Sequence, residues 1–157
     1  MIKLICIGKI KESYFQEAIK EYEKRLSKYT KLDIIELPDL DYSEIDRIKK
    51  EEAKLILKHL RPNDNVIVLD IFGQELDSLE LTKTIMNLEQ RNSNLTFIIG
   101  GSYGLSEEIK ARANYHLSFS KLTFPHQLFR IIFLEQLYSK LVTGHAHVLL
   151  ARKFFKN

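Results

Sequence analysis

Leu95-Thr96-Phe97-Ile98-Ile99-Gly100-Gly101-Ser102-Tyr103-Gly104 joins a five-residue apolar and β-branched run directly to a glycine-rich turn. So short and continuously apolar a run reads as a strand buried on both faces, because a half-exposed strand alternates with polar residues. Glycines at its carboxyl end let the backbone approach a ligand, at the place where open α/β sheets bind them.

Other runs share its character. Ile2-Lys3-Leu4-Ile5-Cys6-Ile7 ends at Gly8, Leu32–Leu37 is closed by Pro38, and Val66–Phe72 is stopped by Gly73. A short strand is expected near Leu117–Ser120. Between the runs, apolar residues recur at helical spacing. Phe15, Ala18, Ile19, Tyr22, Leu26 and Tyr29 follow Ser13, and Ile45, Ile48, Leu55, Ile56 and Leu60 precede Arg61-Pro62. Asp77 and Glu80 have capping-box spacing, a short helix is predicted from Ser106, and a long one from Pro125 to Gly144. Buried strands alternating with helices predict an α/β fold, a mostly parallel sheet with helices on both faces. The 157 residues suit a single domain over 1–157.

The last predicted helix carries Leu128, Phe129, Ile131, Ile132, Phe133, Leu134, Leu137, Tyr138 and Leu141 around most of its circumference. Such a helix needs cover on every side, and in a chain this small a second subunit is expected to supply it. A homodimer is therefore predicted.

Net charge is +3, but residues 1–108 sum to −4 and residues 109–157 to +7. The asymmetry points to an anionic partner for the C-terminal third, nucleic acid being the commonest; a solvated basic surface is the other reading. The single Cys6 excludes a disulfide framework and a cysteine zinc site, and no metal is expected. The opening apolar stretch is too short for a signal peptide and no run approaches a membrane span, so a cytoplasmic protein is expected.

A dinucleotide fingerprint would place its glycines at the first strand-to-helix turn, which has only Gly8. Gly100-Gly101-Ser102-Tyr103-Gly104 also matches G-x-S-x-G, the turn that presents a nucleophilic serine, here Ser102. That order needs a downstream acid and then a histidine, and only Glu107, Glu108 and Glu135 follow as acids. A second loop, Leu117-Ser118-Phe119-Ser120-Lys121-Leu122-Thr123-Phe124-Pro125-His126-Gln127-Leu128-Phe129-Arg130, joins a strand end to a helix start. It reads either as a ligand loop beside the first or as an ordinary connection.

Taken together, Gly100-Gly101-Ser102-x-Gly104-Leu105, the Leu117–Arg130 segment and Glu135-Gln136-Leu137-Tyr138 resemble the RlmH family of SPOUT-class methyltransferases. So do Ile7-Gly8-Lys9-Ile10-Lys11-Glu12 and Glu21-Tyr22-x-Lys24-Arg25-Leu26, and the likeness runs over about residues 1–143. The resemblance implies a homodimeric α/β-knot enzyme that methylates N3 of a pseudouridine in 23S ribosomal RNA of the large subunit, with S-adenosylmethionine as cofactor. Carried onto this chain, the methyl donor falls to Leu69, Gly100, Gly101 and the loop Phe119, Ser120, Lys121, Leu122, Thr123 and Phe124.

The family's usual tail, Gly-x-x-Tyr-His and a basic residue, is replaced here by Gly144-His145-Ala146-His147 and a longer extension. An imide N3–H must lose its proton during transfer, and a neutral histidine near pH 7 suits that task. His126, His145 and His147 are the candidates, with capping or packing the alternative role for His126. Arg130 is expected to meet a uracil carbonyl or a phosphate. A serine hydrolase and a ribosome-binding module without turnover stand as alternatives.

Overall fold

In the computed structural model the five runs form one sheet of order β2-β1-β4-β3-β5, every pairing parallel. The strands are β1 (Ile2–Ile7), β2 (Leu32–Leu37), β3 (Asn65–Glu75), β4 (Leu95–Ile99) and β5 (Tyr115–Ser118). The helices are α1 (Ser13–Leu26), α2 (Ile45–Leu57), α3 (Ser78–Arg91), α4 (Glu107–Arg112) and α5 (His126–Phe155). The structure describes the backbone through Phe155 and side chains through Gly144, so the side chains of His145, His147, Arg152 and Lys153, and all of Lys156, lie outside the described residues.

Period-2 geometry sorts the sheet residues into two cores. Leu4, Cys6, Ile67, Phe97 and Ile99 pack with Leu26 of α1, Leu81, Ile85 and Leu88 of α3, and Phe133, Leu134 and Leu137 of α5. Ile5, Ile7, Val66, Val68 and Ile98 pack on the other face with Ala53 and Ile56 of α2 and Ile109 of α4. Cover on both faces explains why β1 and β4 are almost wholly apolar, with Lys3 and Thr96 the exceptions. Burial also pushes the Cys6 thiol up to about 12, which leaves it inert.

Local signals set several boundaries. Asp77 accepts from the Glu80 amide at 2.7 Å while the Glu80 carboxylate accepts from the Asp77 amide at 2.9 Å, a complete capping box. Ser106 caps α4 through the Ile109 amide.

Three expectations are corrected. Gly73 does not end β3: the strand bulges after Leu69 and returns, so that Leu117 faces first Leu69 and then Gln74. A Cβ at Gly73 would lie 2.7 Å from the His116 backbone, so glycine there admits β5 rather than stopping β3. Gly144 does not end α5, which runs to Phe155; an interior glycine weakens a helix by about 1 kcal/mol but does not terminate it. The long helix begins at His126, with Pro125 one place outside it and its carbonyl accepting from Phe129 at 2.9 Å. Among the described residues no helix is long and apolar enough to cross a membrane.

Candidate cofactor pocket and active site

The carboxyl ends of β3, β4 and β5 and the loops leaving them enclose a cavity of about 490 Å³. Leu69, Gly100, Gly101, Phe119, Ser120, Leu122, Thr123 and Phe124 all line it, although they come from three separate stretches of chain. Lys121, in the same loop, is exposed and is not part of the lining.

The glycine loop owes its shape to close packing. Gly104 has φ +79°, a left-handed conformation that suits glycine, and its amide donates to the Gly101 carbonyl at 3.0 Å. A Cβ at Gly100 would meet Leu105 at 3.0 Å and the Gly104 backbone at 3.1 Å. A Cβ at Gly101 would meet Ile7 at 3.1 Å and the Glu52 carboxylate at 3.2 Å. The second loop is tied by its own hydroxyls, the Ser118 hydroxyl donating to the Ser120 carbonyl at 3.1 Å and the Leu122 amide to the Ser120 hydroxyl at 2.9 Å. Its aromatics are anchored on α5: Phe119 lies edge-on to Phe129 at 5.3 Å, and Phe124 stacks on Phe129 at 6.3 Å.

His126, the first residue of α5, lines the same cavity. Burial and the Arg130 charge lower its pKa, against a smaller opposing effect of Asp39, so it is held toward the neutral form. Arg130 is not at the cavity. It is buried, donating to Glu36 at 2.7 Å and to the carbonyls of Gly8 at 2.6 Å and Ile7 at 3.3 Å, which ties α5 to the ends of β1 and β2. Glu36 also accepts from the Ile10 amide at 3.0 Å.

Several lining residues escaped the sequence reading. Asp70, Ile71 and Phe72 follow Leu69 and were within reach of its position, whereas Lys49 of α2 and Lys110 of α4 reach the cavity only through the fold. Lys110 lies 3.7 Å from Asp70. Ser102 lines the cavity but is exposed, and no hydrogen bond joins its hydroxyl to a described histidine or carboxylate. Glu135, one of the three downstream acids, is engaged by Tyr22.

The basic C-terminal third is less free than its net charge implied. Lys110 pairs with Asp70, Arg130 with Glu36 and Lys140 with Glu89, while Arg112 donates to the carbonyls of Arg61 and Asp64. Part of the charge asymmetry along the chain is thus matched inside the fold.

Size, bare glycine backbone and aromatic walls suit a nucleoside-bearing cofactor, with pockets for such ligands spanning roughly 300–1,000 Å³. Residues 1–147 match a family model described as Predicted SPOUT methyltransferase, and the chain belongs to that family. It is a methyltransferase of the class that carries the α/β knot, and the reading of Ser102 as a hydrolytic nucleophile falls. The chain is similar to ribosomal RNA large subunit methyltransferase H of Clostridium botulinum, 52% identical over 144 aligned residues, covering 87% of this chain and 91% of that one. The protein of the same name from Caldicellulosiruptor saccharolyticus is 49% identical over 141 residues, covering 88% and 92%.

Proposed function

We propose that this protein transfers the methyl group of S-adenosylmethionine to N3 of a pseudouridine in 23S ribosomal RNA of the large subunit, acting in the cytoplasm as a homodimer. The observation that carries the reading is the convergence of Leu69, the glycine loop and the Phe119–Phe124 loop on one cavity. Relatives that share about half of its residues are named for methylating ribosomal RNA of the large subunit.

The cofactor, when bound, supplies a methyl group already activated on a sulfonium. Gly100 and Gly101 would present bare backbone to it, and Phe119 and Phe124 would supply apolar wall. Fixing donor and acceptor in line supplies much of the rate. His126 is at the cavity and held toward the neutral form, which suits it to take the N3 proton; His145 or His147, on the C-terminal extension of α5, is the alternative base. Arg130 acts as a positioning residue, fixing the start of α5 against Gly8 and Glu36. Leu128 and Val142 leave an exposed apolar edge on α5, which suits it to a second subunit.

Incubating the protein with labelled S-adenosylmethionine and ribosomes lacking this modification tests the reading. Label should enter 23S RNA at N3 of one pseudouridine. Cofactor binding without transfer to ribosomes would instead favour a ribosome-binding protein that has lost turnover.

A further inference from the structure

Glu52 is buried on α2 with 4% of its surface exposed, and its carboxyl has no hydrogen bond or ion pair with any described residue. Burial and the negative charge of Asp39 raise its pKa to about 7. A carboxylate this little exposed is costly to ionise without a counter-charge. Its oxygens lie 3.2 and 3.5 Å from where a Cβ on Gly101 would stand, and Gly101 lines the cavity. The carboxyl thus lies behind the Gly101 backbone, beside Ile7.

Two of the other charged groups at this end are matched. Asp70, on the cavity wall, faces Lys110, and Arg130 is held by Glu36. Lys49, one turn earlier on α2, lines the cavity without an ion pair to Glu52, and His126 is held toward its neutral form. The Glu52 charge is left for a ligand to match.

We propose that Glu52 is a specificity-determining residue, the counter-charge that makes the cavity favour a sulfonium over the neutral thioether left after methyl transfer. The proposal rests on the cavity being the S-adenosylmethionine site. Donor and product share their adenosyl and amino-acid parts and differ by one methyl group and one positive charge. Apolar walls barely sense that charge, whereas a carboxylate behind the Gly101 backbone would act on it through space. The product would then leave more readily than the donor. Because the charge exists only when Glu52 is ionised, the preference rises with pH through about 7.

Calorimetric titration of S-adenosylmethionine and S-adenosylhomocysteine into wild type and Glu52→Gln, from about pH 5.5 to 8.5, tests it. The wild-type affinity ratio should rise about fivefold or more across that range, a typical coupling, and the Glu52→Gln ratio should stay low and flat. Protonating His126 would act in the same direction, so a rise that survives in Glu52→Gln belongs to histidine and overturns the proposal. Melting curves keep the variant interpretable: Glu52→Gln should melt at or above wild type at high pH, where it removes a buried charge. Carboxyl NMR of the wild type gives an independent reading. The Glu52 titration should move to lower pH with the donor and less with the product; equal movement overturns the assignment. A wild type that binds both ligands at a pH-independent ratio removes the role of Glu52 alone. One that binds neither ligand removes the cofactor reading, and this proposal with it.

Discussion

At Gly101 an added side chain would point toward Ile7 and Glu52, under the loop, not into the cavity. Substitution should therefore fail by lifting the loop. Gly101→Leu is expected to lower S-adenosylmethionine affinity at least tenfold by calorimetry, with Gly101→Ala milder because Ile7 and Glu52 need give only a few tenths of an ångström; unchanged affinity in the leucine variant would refute this placement. His126 carries a prediction of different sign. Its pKa lies below the ordinary 6.5, so its neutral form persists to lower pH than a free histidine's. If it is the base, His126→Ala should slow methyl transfer by about 10²–10⁴-fold. The wild-type rate should then fall as pH drops, with its midpoint below 6.5. A drop centred above 6.5 would point to another group. For stability the same depressed pKa means that the His126 contribution is present above 6.5 and lost as pH falls, which acid melting curves can read.

Among the elements, β3 and α5 depart most from what their own residues announce. In β3 the obstacle to a side chain at Gly73 is the His116 backbone of β5, a neighbour that only folding supplies. Gly73→Ala should cost about 1–3 kcal/mol through overpacking against backbone, measurable by urea denaturation. In α5 the apolar surface divides in two. Phe133, Leu134 and Leu137 are buried in the chain's own core, so Phe133→Glu or Leu137→Glu should unfold the protomer. Leu128 and Val142 are more than a third exposed. Leu128→Glu should therefore leave the fold intact and weaken self-association in sedimentation, and a variant that sediments like wild type would place the dimer contact elsewhere.

For the whole molecule, the question is how much positive charge faces RNA. Lys110, Arg130 and Lys140 are spent on internal acids, so the basic third offers fewer free charges than its net +7. Ribosome binding should still weaken with salt through counterion release. Neutralising Arg152, Lys153 and Lys156 together should flatten the salt slope by roughly 2–3, near one per lost phosphate contact. Cofactor affinity should be unchanged; affinity insensitive to salt would make the charge a solvated surface.

What could be read from the chain alone was set by local rules. Buried parallel strands need continuous apolar residues, capping needs Asp77 and Glu80 three apart, and a ligand turn needs glycines after a strand, so β1, β2, β4, α3 and the Gly100–Gly104 loop were legible. The two loops of the cofactor pocket were legible as motifs, and their residues lie together on one cavity. Tertiary structure decided the rest, because its causes are contacts between residues distant in sequence. The Arg130–Glu36 pair spans 94 positions, the bulge in β3 depends on β5, and α5 continues past a glycine that local rules read as its end. Glu52 is the clearest case: on its helix it is one more acid among lysines, and only the packing of α2 beneath the glycine loop buries it beside the site.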